Sequence, residues 1–495
     1  MIKKFSINRN GIETTCLIIF LFILTFLFLT ISPLHIWKGA DVGADSGVFM
    51  TVAMMMDKGY MPYRDTFDHK GPLIYLINYA GRQISAYRGV WVIEFVSVFA
   101  TFLFIYKIAR LKCGKILSCI VLLISGSLLF DFFDSGNLVE EYAMPLIAGA
   151  LYIFLDYLMN RKISKLRLIF CGLCFGGVCL LRPNMISVWV VFCTAVLIKS
   201  IAGKEFRDLG KFIVFFILGF MLIVIPNILW LAVNNSLTDF WNEYISFNFM
   251  YTTTSTVARW RTFFSFYNNH AVILASVISV YMIYRTGDRM LYGTYCCYLF
   301  FTLLFICMSG LAYSHYGMIL VPAVAFPIAS LLDICAKSFS ADKGNIGMFL
   351  LVLYFLYTLI IPDWIPVIGE LAKVYSMRSE ENHSWLVDTV CRVIDDNTQV
   401  DDKISVYGSW DIIYVLSNHE HATKYSYQFP IGNKVPDIMD NYFDELEKQL
   451  PMAIVVEKGH YDDRMADFLD SNGYSLVWSE PDAEQPTLVY RRENE

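Results

Sequence analysis

The sequence predicts a polytopic α-helical membrane protein of about eleven transmembrane helices, with a small α/β domain at its C-terminal end. Three observations predict it. Of the 495 residues, 56% are hydrophobic and 17% charged, more apolar surface than a soluble domain can hide. Apolar runs close to the ~20 residues that cross a bilayer recur along the chain. From about residue 376 onward the composition becomes that of a soluble domain.

The runs lie near 14–33, 89–109, 115–131, 140–158, 166–181, 184–201, 210–233, 267–285, 290–309, 316–335 and 345–362. The first lacks a small-residue cleavage site and reads as a span, not a signal peptide. Cys171 and Cys174 form a CxxC, but inside an apolar run they read as packing. The C-terminal part holds only Cys391, so no disulfide forms within it. A net charge of −6 argues against a nucleic-acid binder.

Basic residues set the expected orientation. Lys3, Lys4 and Arg9 precede the first span. Lys107, Arg110, Lys112 and Lys115 follow the second, and Arg161, Lys162, Lys165 and Arg167 follow the fourth. Lys199, Lys204, Arg207 and Lys211, then Arg285 and Arg289, then Lys337 and Lys343 continue the series, whereas 132–139 and 310–315 have none. The N-terminus is expected in the cytoplasm, and the loop 34–88 and the C-terminal domain outside. Two modules follow: a transmembrane module, 1–362, and a soluble domain, 376–495. In the latter, Trp385 to Ile394, Asp437 to Gln449 and Arg464 to Leu469 read as helices. Lys403 to Tyr407, Met452 to Val456, Tyr474 to Trp478 and Thr487 to Tyr490 read as strands.

Chemistry concentrates in the first outward loop, Asp41 to Leu73. Asp45 follows Asp41 by four residues, either as the N-cap of a helix over Gly47 to Met56 or as a general base. The segment Val48 to Met56 carries no charge and suits a helix lying in the membrane interface. Arg64 and Lys70 suit phosphate binding, Arg through its fork and Lys as a point charge; Lys70 equally suits a snorkelling anchor. Glu140 and Glu141 open a helix at the membrane edge, where acids serve the helix dipole or function. Arg182 interrupts an apolar stretch and requires an anionic partner. His315 and Tyr316 begin a later span, where a lone His is more often a packing residue. Arg259 and Arg261 suit either a phosphate clamp or a wet surface. All these groups are expected on one face of the membrane, which suits displacement at a lipid-linked donor with a phosphate leaving group.

The carboxylate after the first span, the run Gly59-Tyr-Met-Pro-Tyr-Arg-Asp-Thr-Phe-Asp-His-Lys-Gly-Pro-Leu73 and the acidic start of the fourth span resemble the lipid-dependent GT-C glycosyltransferases. The resemblance is to the bacterial protein O-mannosyltransferase and aminoarabinose transferase branch. It implies a GT-C-like fold and a hexosyl- or pentosyltransferase that moves a sugar from a polyprenyl-phosphate donor to a glycan, lipid or protein acceptor of the cell envelope, with inversion. It implies Asp45 as the base, and Lys70, as the lysine of a Lys-Pro-Pro-Leu-like element, on the donor phosphate with Arg64 or Arg182. Asp41, His69, Glu140, Glu141, His315 and Tyr316 take supporting or acceptor-side places. A divalent cation, if used, would fall to Asp41, Glu140 and Glu141. Gly71 replaces the first proline of that element, and His69 stands where the aminoarabinose transferases have an acid. The competing expectation, a transporter or flippase of lipid-linked glycans, calls for charges through mid-membrane helices; the helix centres here are apolar.

Overall fold

The computed structural model describes residues 9–39, 42–86, 88–160, 163–251, 255–341, 350, 353–377 and 384–493. The N-terminal half comprises α1 (Arg9–Phe28), α2 (Ala44–Asp57), α3 (Pro72–Ile84), α4 (Gly89–Arg110), α5 (Lys115–Phe132), α6 (Val139–Asn160), α7 (Lys165–Leu181), α8 (Ser187–Ala202) and α9 (Phe206–Val233). Further helices lie at Thr256–Tyr267, His270–Thr286, Arg289–Ile306, Val321–Ala341 and Ile361–Ser376.

Among the described residues eight helices are long and apolar enough to cross a membrane, or nine if Thr256–Tyr267 and His270–Thr286, bent by 84°, are one span. Three of the eleven expected stretches form helices that fall outside this count, and one span has other bounds. The stretches 166–181 and 184–201 do form α7 and α8, but at 17 and 16 residues these are shorter than the other spans. The last span runs Leu353–Ser376, beyond the expected end at 362. The expected span 267–285 is the second arm of the bent pair.

The loop between α1 and α4 is not irregular. It carries α2 and α3, and α3 starts with Pro72 in its first turn, where a missing N–H costs nothing. The C-terminal domain holds a four-stranded sheet of β1 (Ile404–Tyr407), β2 (Ala453–Val456), β3 (Tyr474–Ser479) and β4 (Leu488–Arg492) in the order β1-β2-β4-β3. β1 and β2 are parallel, and the other pairs antiparallel. The strands β1 and β2 are buried throughout, as a parallel pair covered on both faces must be. Helices Trp385–Asn397, Asp437–Gln449 and Asp463–Ser471 match expectation within a few residues; Ile412–Ser417 is an additional helix.

The domain is not an appendage. Ile412, Val415, Tyr427, Ile431 and Ile438 belong to the same apolar core as the helical bundle. Conversely, Met54 and Met55 of α2 belong to the domain's core with Val387, Ile394, Ile404 and Val455. Each body therefore buries part of the other's apolar surface, and α2 is the shared element.

Candidate active site

The site is assembled where α2, the segment 58–71, the C-terminal end of α7 and the C-terminal domain meet. Helix α2 begins at Ala44 after Gly43, which caps it without a side chain, so Asp45 lies in the first turn and is not the N-cap. The expected interfacial position of Val48 to Met56 is also corrected. Ser46 through Met55 are all buried, because the C-terminal domain covers the face that lipid was expected to cover. Thr51 Oγ1 donates to the Asp411 carbonyl at 2.9 Å, and a Cβ on Gly47 would stand 3.0 Å from the Ile412 amide nitrogen. The Asp45 side chain remains 43% exposed, at the open N-terminal end of the helix.

From Lys58 the chain turns at Gly59 and reaches Tyr63, a fully buried residue at φ 67°. A left-handed bulky residue is strained. Here the strain is held by what the ring does: Tyr63 Oη donates to the Lys70 carbonyl at 2.8 Å and the ring meets Tyr75 and Phe240 edge-on. Lys70 Nζ comes to 3.7 Å from Asp45 Oδ2 and 3.1 Å from His69 Nε2. Burial works against the ammonium, but Asp45 and Asp68 outweigh it and hold Lys70 above the usual lysine range.

Gly71 shows why this chain has no proline there. Its N–H donates to the Leu181 carbonyl at 3.2 Å, and a Cβ would stand 2.0 Å from the Leu180 carbonyl oxygen. Proline permits neither. The bare backbone docks Lys70 against the end of α7, where the next residue is Arg182. Arg182 Nη1 is bonded to Glu140 Oε1, and its guanidinium lies over the Tyr316 ring at 4.0 Å. Its charge reaches both Lys70 and His69. Lys70, His69, Arg182, Tyr316, Glu140 and Asp45 are thus brought together. His315 stacks on Tyr313 and meets the Tyr316 ring at 4.8 Å, with Nδ1 3.3 Å from Asp134 Oδ2.

Other expected site residues lie apart from this cluster or outside the described residues. Arg64 forms a two-nitrogen pair with Asp65 and donates to the Asn234 carbonyl; no contact joins it to Lys70, so it is not part of this cluster. Asp41 lies outside the described residues. Glu141 is buried and turned away from Glu140: its Oε2 accepts from the Asn137 amide at 2.9 Å. Among the described residues no three His, Cys, Asp or Glu side chains gather as metal ligands. With Glu140 neutralised by Arg182, the arrangement does not fit a divalent cation held by Glu140 and Glu141.

Four residues that the sequence reading did not single out shape the site. Asp68, 2% exposed, accepts from Tyr75 Oη at 2.8 Å, Tyr427 Oη at 2.9 Å and the His69 amide at 2.7 Å. Burial pushes its carboxyl up, against the pull of Lys70 and the two phenols. Tyr427 comes from the C-terminal domain and also lies 3.3 Å from His69 Nδ1. Asn137, at φ 54°, uses its whole amide: Nδ2 donates to Ser46 and Asn78, and Oδ1 accepts from Tyr142 and Asn78. It thereby ties the residue next to Asp45 to α3 and α6. Glu243, in the π-helical segment Trp241–Ser246, pairs with Lys424 of the C-terminal domain at 2.6 Å. The run Lys424-Tyr-Ser-Tyr-Gln428 has polar and aromatic groups that a solvated loop would not need, a signal that marks the segment as buried without naming its partner.

The family described as "Putative competence-induced protein Ccs4 N-terminal domain" matches residues 4–362. The chain belongs to this Ccs4 family. The match covers most of the helical bundle and stops at the start of the helix Ile361–Ser376, before the C-terminal domain. No curated protein sequence matches the chain. Among solved structures, ArnT from Cupriavidus metallidurans bound to undecaprenyl phosphate is similar with a TM-score of 0.65 and 11% identity, over 97% of this chain and 98% of that one. ArnT in the apo state gives 0.62 at the same identity and coverage. The archaeal oligosaccharyltransferase AglB from Archaeoglobus fulgidus, in complex with an inhibitory peptide and a dolichol-phosphate, gives 0.51 and 11%, over 97% of this chain and 75% of that one. The fold of this Ccs4-family chain is therefore the GT-C fold, in a multi-pass membrane protein, and the likeness extends through the C-terminal domain.

Proposed function

We propose that this chain is an integral-membrane glycosyltransferase that moves a sugar from a polyprenyl-phosphate donor to a hydroxyl of a cell-envelope acceptor. The observation that carries the reading is the meeting of a half-exposed carboxylate, Asp45, with a buried ammonium, Lys70, beside Arg182, in a fold shared with ArnT bound to undecaprenyl phosphate.

The gap of 3.7 Å between Asp45 and Lys70 is an ion pair without a direct hydrogen bond, which leaves room for ligand oxygens on both groups. Asp45 removes the proton of the acceptor hydroxyl. The freed oxygen attacks the anomeric carbon, and the bond from that carbon to the phosphate oxygen breaks with its electron pair going to phosphate. Lys70 and Arg182 face the charge that develops there, in a site where burial strengthens them. A single displacement inverts the anomeric centre. Glu140 and Tyr316 keep the Arg182 fork in place, so its orientation is set before the donor arrives. The bias of Lys and Arg between alternate loops supports a cytoplasmic N-terminus, with the site and the C-terminal domain on the opposite face.

The test is transfer from a panel of polyprenyl-phosphate sugars by purified wild-type protein, with K70A and R182K in parallel. The reading expects one donor to lose its sugar and both variants to weaken donor use. Absence of transfer from every donor, or full transfer by K70A, overturns it.

A further inference from the structure

The hydrogen bonds around Lys70 have only one consistent direction. A lysine ammonium is a donor and never an acceptor, so the 3.1 Å contact makes His69 Nε2 the acceptor. Burial, with Lys70 and Arg182 nearby, holds His69 well below the usual histidine range, so the ring is neutral. Its one proton therefore sits on Nδ1, which faces Tyr427 Oη at 3.3 Å and Asp68 Oδ1 at 3.4 Å. Tyr427 gives its own proton to Asp68 Oδ1 at 2.9 Å. Lys70, His69, Tyr427 and Asp68 form a chain of donors that ends on a buried carboxylate.

We propose that Tyr427 of the C-terminal domain is a positioning residue for Lys70, acting through the orientation of the His69 ring and through Asp68, so that the site is incomplete without that domain. This rests on the reading of Lys70 as the donor-phosphate contact. With Nε2 bare, one ammonium proton is tethered to the ring and the other two are turned to Asp45 and the phosphate. Without the Tyr427 hydroxyl, His69 Nδ1 loses its 3.3 Å partner and its proton turns to the 3.4 Å contact with Asp68 Oδ1, which re-aims the ring and the Nε2 that the ammonium holds. Asp68 also loses a donor, ionises less readily and supports Lys70 less.

The test measures binding of undecaprenyl phosphate to the full chain in detergent micelles across pH, for wild type, K70A, Y427F and Y425F. Y425F is the control from the same segment of the domain, with its hydroxyl beside Asn441. Y427F is expected to bind about tenfold more weakly, with the alkaline loss of binding shifted about one pH unit downward, while Y425F matches wild type. Weak binding by K70A with a wild-type pH profile for Y427F overturns the inference and leaves the phosphate reading standing. Wild-type binding by K70A overturns that reading and the inference with it. Should Y427F fail to fold, D68N, which keeps the side-chain volume, carries the same expected shift from the other end of the chain, and an unshifted D68N profile overturns it equally.

Discussion

Asp45–Lys70 and Glu140–Arg182 are both acid–base pairs at the same end of the bundle, yet they are built for opposite ends. In the first pair the acid is 43% exposed and stands 3.7 Å from its partner. In the second the acid is 2% exposed and bonded directly to the arginine. A carboxylate sealed against a guanidinium cannot take a proton from a substrate without leaving a buried charge unpaired. One in the first turn of a helix, open to solvent and only loosely paired, can. The difference separates the acid that is available for chemistry from the acid that holds a cation still.

The sharpest way to break this comparison is Asp45→Asn. Transfer is expected to fall by about 10²–10⁴-fold with an unchanged melting temperature, since the lost ion pair is partly solvated and weak. Substantial residual transfer would remove Asp45 as the base. Glu140→Ala should do the converse, costing about 3–5 kcal/mol of unfolding free energy by stranding Arg182, as read by denaturation in detergent. A stable E140A protein would show that Arg182 has another anion to rest on.

The interdomain pair sharpens the contrast through pH. Burial outweighs Lys424 and pushes the Glu243 carboxyl up from the ordinary 4.5 to about 8. The folded state then holds this proton more tightly than the unfolded chain, so the stability it contributes is full below pH 4.5 and is lost as pH rises to about 8, by at most about 1.4 kcal/mol per unit. Unfolding measured across this window should show a slope that Glu243→Gln flattens; an identical slope in the variant would exclude Glu243 as its source. Asn137→Ala empties a fully used amide and should cost about 1–3 kcal/mol, with a lower kcat because Ser46, and with it Asp45, loses its tie. The smallest effect belongs to Arg64→Ala. Paired with its neighbour Asp65 and away from Lys70, it should change stability by no more than about 0.5 kcal/mol and leave donor affinity at the wild-type value; a tenfold loss of affinity would return Arg64 to the site.

Much of this was legible in the chain. Apolar runs near 89–109, 115–131, 140–158, 210–233, 290–309 and 316–335 marked spans because lipid demands long uninterrupted apolar helices. Every expected strand of the terminal domain formed, because short β-branched and aromatic runs bounded by turn residues are local signals. The likeness to GT-C enzymes was carried by residues 41–73 and held for the whole fold.

What the sequence determined by itself was therefore what local pattern can encode: the spans, the strands, and a first loop whose Asp45, His69 and Lys70 were too polar for a connector. Tertiary structure decided the rest. It alone covered α2 with the C-terminal domain instead of lipid, since an apolar face does not name its partner. It placed Gly71 against the backbone of α7, and so Lys70 beside Arg182, through a close approach that no spacing of residues announces. It also brought Tyr427 to Asp68 and His69, which stand 359 and 358 positions away in the sequence. Hydrogen-bond partners that distant are chosen by the packing of two bodies on one another, and only the folded chain contains that information.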